Sequence, residues 1–101
     1  MEIHHETDGT KGRYWTRRGE GPEAEVTYSR ASEALIIMDH TGVPDEYRGQ
    51  GVGVALVERA VADARKSGTK IVPLCPFVAA QFRRHAEWQD VLSQTMKRKE
   101  T

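Results

Sequence analysis

The order of patterns between residues 34 and 74 constrains the fold more than anything else in the chain. Ala34, Leu35, Ile36, Ile37 and Met38 form an unbroken apolar run, the pattern expected of a central strand covered on both faces. A glycine-rich turn follows. From Val52 onward, Leu56, Val57, Ala60, Val61 and Ala64 recur at helical spacing, with Glu58, Arg59, Asp63, Arg65 and Lys66 on the other side. Arg65 and Lys66 place cations at the carbonyl end of that helix, and Gly68 offers a left-handed cap, so the helix should span about residues 52–66. Lys70, Ile71, Val72, Pro73 and Leu74 then read as a short strand. Strand, helix and strand in this length make a βαβ unit, whose right-handed crossover returns the second strand parallel to the first.

The flanking sequence supplies the rest of a sheet. Residues 2–6 read as a weak first strand, and Thr7 to Gly12 as turn chemistry. Arg13, Tyr14, Trp15, Thr16 and Arg17 are rich in aromatic and β-branched types. Gly19, Glu20, Gly21 and Pro22 break the chain before Ala24, Glu25, Val26, Thr27 and Tyr28 alternate apolar with polar. This pair reads as an antiparallel hairpin with one wet face, followed by a polar turn over residues 29–33. Phe77, Val78, Phe82 and Ala79 give a second helical stripe, and Trp88 and Leu92 add packing beyond it. The expected architecture is α/β in the α+β sense: a mixed, mostly antiparallel central sheet with one βαβ crossover. Residues 1–92 form a single minimal domain, and residues 93–101 a polar, flexible tail.

Composition narrows the function classes. With 101 residues there is room for one domain. Lys plus Arg and Asp plus Glu are both 15, so no bulk charge draws the chain to nucleic acid or to an anionic membrane. Any anion site must be local. No apolar run approaches the ~20 residues of a membrane span, and the first residues lack the order of a signal peptide, so the expected location is cytoplasmic. Cys75 is the only cysteine, which excludes an internal disulfide. No spacing of cysteines and histidines suggests a metal site. Trp15, Tyr28 and Trp88 read as packing residues, His85 as a surface or capping residue, and His4 and His5 as solvated. The expected state is monomer or weak dimer.

The glycine turn carries the chemistry. A turn of this kind that opens a helix straight after a strand leaves backbone N–H groups converging on one point, an anion cradle. The GxxxxGK[ST] phosphate loop is absent, and a dinucleotide fingerprint would need a small residue where Val54 stands and an acid near Ile71 and Val72. What remains is RxxGxG, spelled Arg48, Gly49, Gln50, Gly51, Val52, Gly53. It resembles the coenzyme A pyrophosphate loop of the GNAT N-acetyltransferase superfamily. The segments His40, Thr41, Gly42, Val43, Pro44 and Pro73, Leu74, Cys75, Pro76, Phe77 resemble the HTxVP and PLCPF elements of its short single-domain branch. The likeness covers roughly residues 24–92.

The resemblance implies an acetyl-CoA-dependent transferase that moves an acetyl group to an amine. Gly51 and Gly53 would let the backbone approach the pyrophosphate, Arg48 would add charge, and the amides of Gly49, Gln50, Gly51, Val52, Gly53 and Val54 would donate. The pantetheine arm would run along residues 34–43, with Thr41 among the cofactor-binding residues and an amide near Gly42 or Val43 polarising the thioester. Cys75 is either a proton donor to the leaving thiolate, an acyl carrier, or a small buried hydrophobe. His40 is either the base that deprotonates the amine or a strand-end histidine bonded to the backbone. No helix separates the first two strands, so the acceptor side should be open, which suits a protein lysine or another exposed amine. The alternative from another class is a coenzyme A-binding sensor or interaction module without useful turnover.

Overall fold

Alternation decides which side of the sheet is dry. Along β3 (Ala24–Ser32), Ala24, Val26 and Tyr28 are buried while Glu25 and Thr27 stay half-buried. The computed structural model describes residues 1–93. In it, β1 (His4–Asp8), β2 (Lys11–Thr16), β3, β4 (Leu35–Gly42) and β5 (Lys70–Pro73) form one sheet in sequence order. The first three pairings are antiparallel and β4–β5 is parallel. The sheet is therefore mixed and mostly antiparallel, with α1 (Val52–Ser67) as the crossover between β4 and β5.

Helix α1 ends as its sequence dictates: Gly68 adopts φ 76°, and its N–H bonds the carbonyl of Ala64. Its buried stripe of Leu56, Val57, Ala60, Val61 and Ala64 meets Tyr14, Val26, Tyr28, Ile36, Met38 and Ile71. Helix α2 (Pro76–Arg84) adds Val78 and Phe82, and the 3-10 segment Ala86–Val91 adds Trp88 and Val91. Each fully buried aliphatic side chain contributes about 1.5–3 kcal/mol of transfer free energy. His85 caps α2, its Nδ1 lying 2.8 Å from the Gln81 carbonyl oxygen, and its ring stacks on Trp88.

The central strand departs from expectation. Ile36 and Met38 are buried, but Leu35 and Ile37 are only half-buried and stand outside the core cluster. Both helices pack on the face that carries Ile36 and Met38. Among the described residues no helix covers the opposite face, so the apolar run is dry on one side, not two.

Two turns are also shorter than local composition suggested. β1 continues to Asp8, whose register partner is Lys11, leaving a two-residue turn in which Gly9 has φ 64°. Left-handed backbone there matches the twist of the flanking strands. Residues 29–32, assigned to a polar turn, extend β3 instead: Ser29 faces Ile37, Arg30 faces Ile36 and Ser32 faces Leu35. Ladder hydrogen bonds outweigh local polarity, as often happens where tertiary pairing is available. Ser93, assigned to the tail, is buried, and its N–H donates to the Ile71 carbonyl beside the Ile71–Leu92 bridge. The rest of the expected tail, residues 94–101, lies outside the described residues.

His4 and His5 are exposed, as expected, and their rings also stack on β2. His4 stacks on Trp15 and His5 on Tyr14, with His5 Nε2 2.7 Å from the Tyr28 hydroxyl. Shielding of the ring pushes the His5 pKa below its ordinary 6.5; Asp63 pulls it up, and Arg59 and Arg30 push it down further. Folded His5 is therefore neutral in a range where the unfolded chain still protonates it. The stability this gives is complete above pH 6.5 and declines as pH falls from there through the folded value. His5→Asn should lose less stability than the native chain between about pH 7 and 5, read by chemical denaturation; equal losses would contradict the assignment. Gly12 makes room for the ring that His5 holds, since a Cβ there would lie 2.3 Å from Tyr28 Cζ. Gly12→Ala should cost about 1–3 kcal/mol in urea unfolding.

Candidate active site

The site begins where β5 stops. Pro73 has no N–H to extend the ladder, and the last register pair between β4 and β5 is Met38 with Pro73. The Leu74 N–H turns back to the Val72 carbonyl at 3.0 Å, and the Cys75 N–H closes on the Met38 carbonyl at 2.9 Å. Beyond that point the β5-facing edge of β4 has no strand partner among the described residues, and the two parallel strands part.

A bulge in β4 sorts the candidate residues onto two sides. Tyr28 faces Met38 and Thr27 faces His40, so Asp39 is the extra residue. Its carboxylate accepts from Thr27 Oγ1 at 2.6 Å and Ser29 Oγ at 3.2 Å on the open sheet face. Thr41 pairs with the fully buried Val26 and so lies on the helix side, where its Oγ1 is 3.3 Å from Cys75 Sγ. His40 pairs with Thr27 and is exposed on the other side. The structure brings Thr41 and Cys75 together and leaves His40 across the strand, so Cys75 and His40 form no direct pair. Cys75 is buried and is the N-cap residue of α2, with Pro76 at the first helical position.

The glycine turn opens into a cleft of about 290 Å³. Val43, Tyr47, Arg48, Gly49, Gly51, Val52, Gly53 and Val54 line it from one side, and Phe77, Gln81 and Arg84 of α2 from the other. Helix geometry leaves the amides of Val52, Gly53 and Val54 without acceptors in α1, whose first bond runs from the Ala55 N–H to the Gly51 carbonyl. Gln50 differs from expectation. Its N–H bonds the Tyr47 carbonyl at 3.2 Å and its side-chain amide the Glu46 carbonyl, so its backbone donor is already engaged. Arg48 is exposed and paired with Asp45. Tyr47 is buried and fixes the turn: its hydroxyl donates to the Pro22 carbonyl and accepts from the Arg18 N–H.

The glycines serve different ends. Gly49 and Gly51 have φ of 78° and 74° with nothing within 4 Å of a hypothetical Cβ, so backbone conformation demands them. Gly53 is helical, but a Cβ there would stand 2.9 Å from Phe77 Cζ and 3.2 Å from Val43 Cγ2. Gly42 is constrained less, its nearest neighbour being His40 Nε2 at 3.5 Å. A concavity of about 320 Å³ on the open face is larger. Its Arg13 is already paired with Glu6, Glu23 and Glu25, its Asp39 with the Thr27 and Ser29 hydroxyls, and its Lys11 with Ser29 Oγ. Among the described residues no three His, Cys, Asp or Glu groups are placed to hold a metal, and no helix is long and apolar enough to cross a membrane.

The sequence profile of the GCN5-related N-acetyl-transferase family matches residues 13–91. The chain belongs to that family. The solution NMR structure of a GCN5-like proposed N-acetyltransferase from Staphylococcus aureus shares 33% identity and a TM-score of 0.70 over 89% of this chain and 87% of its own. No curated protein sequence matches. Within this family fold the cleft lies at the N-terminus of the crossover helix, beside the parting strands. The α2 wall escaped sequence reading, which gave Phe77 to the core and no role to Gln81 or Arg84. Their spacing of four and then three residues on one helix was the available signal.

The two kinds of glycine should separate on mutation. Gly51→Ala and Gly53→Ala should each cost about 1–2 kcal/mol in denaturant unfolding. Phe77→Leu should restore the second and leave the first unchanged, because only the second is a collision.

Proposed function

We propose that this member of the GCN5-related family transfers an acetyl group from acetyl-CoA to an exposed amine, with a protein lysine as the acceptor class that suits the open sheet face. The observation that carries the reading is the set of free amides of Val52, Gly53 and Val54 at the start of α1, opening into a cleft beside the parted strands. An anionic diphosphate fits that cradle: Gly49 and Gly51 hold the turn open, and the N-terminal dipole of α1 favours negative charge. Arg48 lies at the same cleft and can exchange its exposed Asp45 partner for a phosphate.

Coenzyme A, when bound, supplies the activated thioester; the chain's own groups position it and manage protons. Thr41 and Gly42 of β4, with Val43 just beyond it, run past the gap left by β5, where a main-chain N–H can polarise the thioester carbonyl. Cys75, on the helix side with the Thr41 hydroxyl as its polar partner, is placed to hold a proton for a departing thiolate. With no base among the described residues against its sulfur, the proton-donor role fits it better than that of acyl carrier. His40, exposed on the opposite side, is placed to take a proton from an amine arriving over the open face.

With acetyl-CoA at about 100 times its Kd, the unfolding free energy should rise by about 2.7 kcal/mol and Tm by roughly ten degrees. No shift at millimolar ligand would overturn the coenzyme reading. Transfer to a lysine peptide should fall roughly a hundredfold in His40→Ala and recover toward alkaline pH, where the amine deprotonates unaided. Cys75→Ala should keep the thermal shift and lower transfer. Binding without transfer to any amine would instead mark a coenzyme A-binding sensor or interaction module.

A further inference from the structure

Helix α2 lends the cleft a second wall whose chemistry changes in one direction. Phe77, Gln81 and Arg84 lie on one stripe and all line the cleft. From Cys75 outward they run apolar, neutral polar and cationic, over about 10 Å of helix axis. Gln81 is 4% exposed, and its side-chain amide has no hydrogen-bond partner among the described residues. None of its polar atoms is sealed off from the surface, so the amide faces the cleft. An amide whose polar atoms reach the cleft is positioned to bond a group that lies in it. Arg84 is exposed and has no ion pair among the described residues, whereas Arg48 across the cleft is held by Asp45. Among the described residues the cation without an ion pair at this cleft is therefore on α2 and not in the glycine turn.

Resting on the coenzyme reading above, we infer that α2 completes the coenzyme site: the Gln81 amide bonds the amides of the pantetheine arm, and Arg84 pairs with the phosphate held by the turn. The order of groups along the stripe is the order along the coenzyme, from thioester through amides to phosphate. A guanidinium facing a cradle of backbone N–H groups neutralises charge that the amides can only partly satisfy. Gln81 contacts a part of the ligand that carries no charge, so the two residues act on separable pieces.

Isothermal titration of the full chain with coenzyme A and with adenosine 3′,5′-bisphosphate, which lacks the pantetheine arm, tests both assignments. Arg84→Gln should weaken both ligands by roughly tenfold. Gln81→Met, which keeps the volume, should weaken coenzyme A and leave the bisphosphate unchanged. Arg83→Gln, the exposed neighbour outside the cleft, should change neither. Arg84→Gln binding coenzyme A like the native chain, or an equal loss in Arg83→Gln, overturns the phosphate assignment. Weakening of the bisphosphate by Gln81→Met overturns the amide assignment. If the native chain binds coenzyme A and the variants match it, only the α2 inference fails; if the native chain does not bind, the coenzyme reading fails with it.

Discussion

Everything at the site depends on where the parallel ladder between β4 and β5 stops. Pro73 ends it by lacking a donor, the Leu74 N–H turns the chain, and the Cys75 N–H returns to the Met38 carbonyl. That single closing bond places Cys75 at the head of α2 and within reach of Thr41. Among the described residues it also leaves one edge of β4 without a strand neighbour, next to the helix start that carries the free amides. A ladder two residues longer would pair that edge and fill the gap.

The one-sided sheet is the second determinant. Both helices pack on the face of Ile36 and Met38, so the other presents side chains that would lie in the core of a two-sided α/β protein. The β4 bulge at Asp39 turns this into a division of labour, with Thr41 on the covered side and His40 on the open one. The two candidate proton-handling groups of the site, Cys75 and His40, therefore stand on opposite sides of one strand and make no direct pair.

Much of the fold was legible because the decisive signals are local. The 3.6-residue stripe of α1, its Gly68 cap and the alternation along β3 follow from short-range geometry and need no partner to be read. The boundaries that failed were those set by pairing. Residues 29–32 look like a turn and become strand because β4 lies beside them, and Ser93 looks like tail and is buried because Ile71 accepts its N–H. At the site, the glycine turn was legible as a motif, but the separate reasons for Gly51 and Gly53 were not, since one depends on φ and the other on a phenyl ring from a different helix.

By itself the sequence determined the strand, glycine turn, helix and strand order, the single thiol, and membership of the GCN5-related N-acetyl-transferase family. Those are properties of near neighbours along the chain. Only the tertiary structure decided which side of β4 each candidate faces, that Gln50 has no free backbone donor, and that Gln81 and Arg84 share the cleft with the turn. The physical reason is one of range. A bulge, a register and a helix docked across a gap are fixed by contacts between segments far apart in sequence, and no local pattern encodes which of its faces will find a partner.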